Sequence, residues 1–572
     1  MLPHLWGAAR LRAPSSLRDT IRFWRMSGTM SEQTSNTTSI KLSRCFMRFD
    51  DRAERFTTQQ IVTTFVSAGP LLDVLANRSH QVIYGRRGVG KTHALRYYQS
   101  TVNTKGDLAI YVDCANLGSS NSTYNDTTLT LYERATRLLI DVCTSMHWAF
   151  ADAFSDPARG WDLAEVAPRL NGFIDAITQV HMDGSVVRER RTQETDKSGT
   201  DFKIGGSLSV NPGVSASYGT SNNIEAVHEI KEKREGKEST IINFQFLAQR
   251  TAALVSYIAP RRVWLLVDEW STVPIDLQPY LADLLRRSFF SVPNVSVKIA
   301  AIEQRSAFRA ERADQGYIGI ELGADATVAL NLDEYLAYDV NPTRASQFFR
   351  TLIENHVGEI SREDQLDLPS DVLQNWTVHA FTQEPVFTEL VKACEGVPRD
   401  AMHILANAAQ RTPGVQIAAP ILRYAALSFF QAEKYSAIAS NPLNRKMLDW
   451  IRFKVIDQRN TRAFLLPVGT IDPIIEKLFD LRALHILNRS MSAAHRPGER
   501  YVVYKLDYGC YVDLTNTGKY PSGLIFRDDL STDVNFDVPD DDARSYRRAI
   551  LDLDEFYLSN GSEEISTGTL ED

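Results

Sequence analysis

Gly85-Arg86-Arg87-Gly88-Val89-Gly90-Lys91-Thr92 constrains this chain more than any other stretch. It is a G-x-x-x-x-G-K-T phosphate loop. The apolar pair Val82-Ile83 leads in as a strand does, and His93 to Gln99 continues as a helix, which is the context the motif needs. Its glycines let successive backbone N–H groups turn inward around a phosphate without Cβ clashes. The helix N-terminus that follows adds partial positive charge. Lys91 is placed to reach the β/γ-phosphates of a nucleotide and Thr92 to ligate Mg²⁺. A strand, this loop and a helix commit the chain to an α/β domain with a nucleotide site.

A second signature lies far downstream. Arg262-Val-Trp-Leu-Leu-Val267 reads as a buried strand and ends in Asp268-Glu269. In that position Asp268 holds Mg²⁺ through water and Glu269 polarises the attacking water. Apolar runs at Leu108–Val112, Val297–Ile302 and Thr327–Asn331 supply further strands, and helical spacing fills Thr127–Phe154, Asp162–His181, Phe244–Ile258 and Pro279–Arg287. Strands alternating with helices predict a three-layer α/β base domain over residues 45–335.

Residues 183–240 interrupt it. Charged stretches at Arg188–Thr195 and Glu229–Lys237 flank a weakly apolar hairpin pattern with a turn at Asn211-Pro212-Gly213. The whole is read as an exposed insertion, either touching DNA or a partner or serving as surface decoration. Residues 336–434 read as an all-α lid, in which Gly396-Val-Pro-Arg-Asp400 caps one helix and opens the next. Over 435–530, helix, strand, helix and a looped two-strand ribbon (Leu484–Leu487 and Arg500–Leu506) make a winged helix. From Asn441 to Cys510 it carries twelve Lys/Arg against seven Asp/Glu. Residues 531–572 form an acidic tail with a solvated end, and 1–44 a disordered leader. The arginines of that leader resemble a transit peptide, but a start at Met26 or Met30 is the reading preferred here.

Composition narrows the class. Hydrophobic content of 43% and charged content of 23% fit a globular protein of about three or four domains. No apolar run approaches the ~18 residues of a membrane span, so a cytoplasmic protein without membrane association is expected. The five cysteines are scattered, with no C-x-x-C, which argues for a reducing compartment and against a structural metal. The net charge of -8 comes mainly from the tail, so local patches matter more than the total.

With GRRGVGKT, VWLLVDEW, GVPRD in a helical lid and the winged helix in view, the chain resembles AAA+ ATPases of the initiator, origin-recognition-like type, a bacterial-style relative with a C-terminal winged helix. The resemblance covers roughly residues 45–520. It implies ATP and Mg²⁺ as cofactors, Mg-dependent hydrolysis, and assembly into a homo-oligomer or with a partner AAA+ subunit. By position it makes Arg399 the lid's sensor arginine for the γ-phosphate, and Arg286 or Arg287 the finger that enters a neighbour's site. The sensor after the fourth strand is usually Asn, Ser or Thr; here Glu303-Gln304-Arg305 stands there, with Gln304 as the substitute and Arg305 or Mg²⁺ needed to offset Glu303.

The functional expectation is an ATP-dependent switch whose lid closure positions the winged helix on duplex DNA. Arg489, Arg496, Arg500 and Lys505 in and beside the wing, with Lys477 and Arg482 flanking the preceding helix, are the expected phosphate contacts. The alternative is a STAND-like signalling or defence ATPase whose winged helix and insertion bind protein. A third reading is an oligomeric scaffold that binds ATP without turnover.

Overall fold

Five apolar runs become the strands of one parallel sheet: β1 (Gln81–Tyr84), β2 (Leu108–Asp113), β3 (Val263–Asp268), β4 (Val295–Ala301) and β5 (Thr327–Asn331). The structure is a computed structural model that describes residues 37–49, 52–117, 126, 128–177, 180–183, 186–190, 230–234, 237–240, 242–312, 316–459, 461–493, 498–512 and 547–560. Across the sheet the order is β5-β1-β4-β3-β2, with every pairing parallel. Strands β1, β3 and β4 are buried along their whole lengths, as a sheet covered on both faces requires.

Alternate side chains feed two cores. Val82, Leu265 and Val267 enter the one built with helices Leu131–Phe154, Leu163–Ile177, Phe244–Ile258 and Gln278–Leu285. Ile83, Trp264 and Leu266 enter the other, with Leu95, Tyr98 and Val102 of helix Lys91–Thr104. This is the three-layer α/β base that the alternation of strands and helices predicted.

Beyond Ile177 the chain leaves the base as an antiparallel ribbon. Val180–Asp183 pairs with Lys237–Thr240, and Val186–Arg190 with Ile230–Arg234. The described strands thus run through the charged flanks of the insertion. The expected hairpin around Asn211-Pro212-Gly213 lies outside the described residues.

Two expected boundaries are corrected. Residues 37–44, assigned to a disordered leader, open a helix over 37–47 that buries Leu42, Cys45 and Phe46 in the core of the lid. Ser39 Oγ donates to the carbonyl of His379 at 3.1 Å, and the N–H of Gly414 donates to Ser43 Oγ at 3.1 Å. The apolar spacing of that helix was hidden by the Ser/Thr-rich run before it. At the other end, residues 547–560 of the acidic tail are ordered against the protein: helix Leu553–Ser559 buries Phe556 on the Trp450 ring, 5.6 Å between centroids. Glu555 pairs with Lys454, and the Tyr557 hydroxyl donates to Asp472 Oδ2 at 2.7 Å.

The lid and the C-terminal unit share one core, running from Leu42 through Leu405 and Phe430 to Leu478 and Phe556. The boundary expected at 434/435 falls inside a continuous helical run, Ala419–Phe429, Phe430–Tyr435 and Ser436–Ala439. Past it, helix Pro442–Arg452 is followed by β6 (Ala463–Pro467), helix Pro473–Asp480, β7 (Leu484–Ser492) and β8 (Arg500–Leu506). These strands form an antiparallel sheet in the order β6-β8-β7.

Candidate nucleotide site

The phosphate loop crosses from the C-terminal end of β1 to helix Lys91–Thr104, the edge at which open α/β sheets hold their ligands. Gly88 and Gly90 sit at φ +87° and +96°, in the left-handed region that residues with a Cβ adopt at a cost. At Gly88 a Cβ would also lie 2.9 Å from the Cβ of Arg399 and 3.1 Å from Val397 Cγ1. This glycine therefore lets the lid come down on the loop.

Lys91 is buried, and its ammonium donates to the carbonyls of Gly85 at 2.7 Å and Arg86 at 3.0 Å. Burial lowers its pKa, opposed by the carboxylates of Asp268, Glu269 and Asp333. Asp268 ends β3 fully buried; the Tyr111 hydroxyl donates to its Oδ2 at 2.7 Å and the Glu269 N–H to its Oδ1 at 2.8 Å. Glu269 has a φ of 51°, a left-handed setting that costs a side-chain-bearing residue about 1–3 kcal/mol. That setting turns its carboxylate into the cleft. Burial raises its pKa, and the Lys91 charge opposes the rise.

Glu269, Lys91, Thr92 and Arg399 line one cleft of about 350 Å³. Arg399 reaches it from the first turn of helix Pro398–Arg411, where its N–H donates to the carbonyl of Gly88 at 3.3 Å. The lining also includes the aromatic and apolar side chains Phe56, Phe65, Phe348, His356 and Met402. Phe65 stacks on Tyr97 at 4.1 Å, and burial lowers His356 to about 4, so its imidazole is neutral. The cleft thus combines cationic, hydrogen-bonding groups suited to phosphates with an aromatic and apolar part of its lining on which a base can pack.

Not every expected site residue reaches this cleft. Arg86, placed among the nucleotide-binding residues with the rest of the motif, is corrected. Its backbone N–H donates to both carboxylate oxygens of Asp333 (3.2 and 3.0 Å), and its guanidinium points away into the C-terminal unit. Gln304 is half-buried in the turn Glu303–Arg305 and is not among the cleft-lining residues. Glu303 is offset by Arg489, at 2.6 Å, instead of by Arg305, which pairs with Asp480 at 2.6 Å. Arg286 and Arg287 both pair with Asp283, at 2.9 and 2.7 Å, on the turn that leads back to the start of β4. Neither lines the cleft of its own chain.

Sequence reading missed Asp333, Tyr111 and the aromatic part of the lining. Asp333 lies 247 residues from Arg86 and carries no motif. Tyr111 reads as an ordinary strand residue, and only the β2–β3 pairing brings it to Asp268.

Sheet order, the loop after β1 and the Asp-Glu pair at the end of β3, one strand away across β4, define a P-loop α/β protein. Residues 49–106 match the ORC-CDC6-like family model. The chain is thus similar to origin-recognition-like AAA+ proteins, as its motifs implied, over the segment that carries the loop. The structure of the Aeropyrum pernix ORC1 protein in complex with DNA matches at 12% identity, covering 78% of this chain and 91% of that one. The TM-score is 0.26, and a likeness of that degree carries no argument. No curated protein matches the sequence. Among the described residues, no helix is long and apolar enough to cross a membrane.

Proposed function

We propose that this chain is an ATP-binding, ATP-hydrolysing switch of the AAA+ type, in which the nucleotide state is read by the lid and the C-terminal unit. The observation that carries this reading is the convergence of three elements in one cleft: Lys91 and Thr92 from the loop, Glu269 from the end of β3, and Arg399 from the lid. Lys91 binds the β/γ-phosphates, Arg399 senses the γ-phosphate, and Glu269 orients and deprotonates the attacking water. The aromatic part of the lining takes the adenine.

The donor set fits Mg²⁺. Thr92 offers a hydroxyl and Asp268 a carboxylate already oriented by Tyr111 and the Glu269 N–H, all hard oxygen ligands. Thr92 and Asp268 would hold the ion, which would supply charge neutralisation at the phosphates when bound. The test is calorimetry and steady-state turnover with Mg-ATP; a wild-type protein that binds no nucleotide ends this reading.

The C-terminal unit is proposed as a winged helix that associates with duplex DNA. One observation favours the second reading, a signalling or defence ATPase whose winged helix packs on protein. Of the six expected phosphate contacts, Arg489 pairs with Glu303 and Glu334, Lys505 with Asp339 and Glu395, and Arg482 with Asp400. Those three therefore face into the molecule. Lys477 and Arg500 are exposed, and Arg496 lies outside the described residues.

A further inference from the structure

Three consecutive residues of the phosphate loop are held by the lid and the C-terminal unit. Gly88 accepts from the N–H of Arg399 in the lid, and the carbonyl of Arg87 accepts from Arg482 Nη1 at 3.3 Å, at the end of helix Pro473–Asp480. Arg86 goes furthest. It is 3% exposed, its Nε donates to Asp333 at 3.0 Å, and its Nη1 donates to the carbonyl of Leu484 at 3.2 Å and to His485 Nδ1 at 2.9 Å. Its guanidinium lies over the Phe479 ring, 5.0 Å from the centroid.

The contacts continue as a closed circuit. His485 Nε2 donates to Asp507 Oδ2 at 2.9 Å, and that oxygen also accepts from Lys434 at 2.6 Å. Lys434 pairs with Asp400 at 2.8 Å, and Asp400 with Arg482 at 3.4 Å, which returns to the loop at Arg87. With His485 neutral, the cations Arg86, Lys434 and Arg482 balance the carboxylates Asp333, Asp507 and Asp400. A buried circuit of this kind tolerates no loss of a member without stranding a charge, and this one begins and ends on the phosphate loop.

We infer that Arg86 is the positioning residue through which a bound nucleotide acts on the C-terminal unit, by a route that runs from the loop itself and does not pass through Arg399. This rests on the reading of the loop as an ATP site. The first link is Lys91: its ammonium is bonded to the carbonyl of Arg86, and a phosphate that draws the ammonium toward itself withdraws it from that peptide. Arg86 then shifts against Leu484 and His485 at the start of β7. The charge balance transmits the shift to Asp507, Lys434 and Asp400, so lid and ribbon respond together.

The experiment is hydrogen–deuterium exchange on the full chain, followed over 484–492 and 500–506, with and without the β,γ-imido analogue of ATP and Mg²⁺. Each variant is brought to saturation, checked by calorimetry, so that a change in affinity does not enter. In wild type the analogue is expected to change exchange in the ribbon at least threefold; in Arg86→Met that response is lost, and in Arg399→Ala it persists. An undiminished response in Arg86→Met overturns the inference, and so does loss of the response in Arg399→Ala, which returns the coupling to the lid. If Arg86→Met does not fold, His485→Leu, at the far end of the contact, decides in the same way, and an undiminished response overturns it. A wild type that binds the analogue without any change in the ribbon also overturns it, whereas a wild type that binds no analogue overturns the ATP site itself.

Discussion

Among the described residues Lys91 is the only lysine lining the cleft, and its two bonds to loop carbonyls hold it against the loop. Lys91→Ala should weaken ATP binding at least tenfold by calorimetry, about 1.4 kcal/mol. Glu269 is proposed to act on water instead. Glu269→Gln should retain ATP affinity and lower turnover by roughly 10²–10⁴-fold, the contribution of a positioned general base. Because burial raises the pKa of Glu269, the acid limb of the turnover profile should stand at higher pH than for an ordinary glutamate and vanish in the variant. At this scale the sequence is legible where residues are contiguous: Gly88, Gly90, Lys91, Thr92 and Glu269, all from contiguous motifs, line one cleft. It is not legible where a residue's partners come from afar. Arg86 occupies a motif position among residues proposed to bind phosphate, yet Asp333 and His485, which claim it, lie 247 and 399 residues away.

Elements were most legible where burial is two-sided. The runs at 108–112, 263–267 and 297–301 are apolar enough to fix strands, and their alternation with helices foretold the layered base. What failed were elements held by few anchors in polar stretches. The helix over 37–47 and helix Leu553–Ser559 lie in segments whose composition is that of solvated chain, and a handful of buried side chains decides their fate. Phe556 is such a side chain, fully buried on Trp450. Phe556→Ala should lower unfolding free energy by roughly 3–5 kcal/mol, measured by chemical denaturation. If the tail helix contributed nothing, the variant would unfold with the wild-type protein. Histidine burial adds a pH dependence. His356, packed between helix Pro342–Glu363 and the base, is lowered to about 4, and His485 to about 3, each mainly by desolvation. Between the ordinary value near 6.5 and those folded values, the unfolded chain takes up protons that the folded chain refuses. Stability is therefore fully present above pH 6.5 and falls as the pH drops toward 4 and 3. Denaturant midpoints at pH 7.5 and 5.0 should differ in wild type and differ less in His356→Leu.

For the whole molecule, the decisive fact is where its positive charge is spent. Basic residues of the C-terminal unit read as a nucleic-acid face when counted along the sequence, because a count cannot tell an outward arginine from one that bonds its own protein. In the folded chain Arg482, Arg489 and Lys505 bind Asp400, Glu303 and Glu395, which come from the lid and the base. Of the six expected phosphate contacts, Lys477 and Arg500 are the ones left exposed among the described residues. Any duplex binding by this unit should accordingly be weak, phosphate-led and steeply salt-dependent. Fluorescence polarisation with duplex DNA and ATP, at two salt concentrations, should show the Lys477→Ala/Arg500→Ala protein binding more weakly, with a salt slope shallower by about one unit per lost phosphate contact. The mutations sit on solvent-facing positions, so their effect on stability should be within about 0.5 kcal/mol and cannot masquerade as lost binding. Equal binding by both proteins would move the contact to another surface. No binding by the wild type at low salt would leave the ion pairs as the whole purpose of the charge, with the C-terminal unit a module that packs on protein and is driven from the phosphate loop.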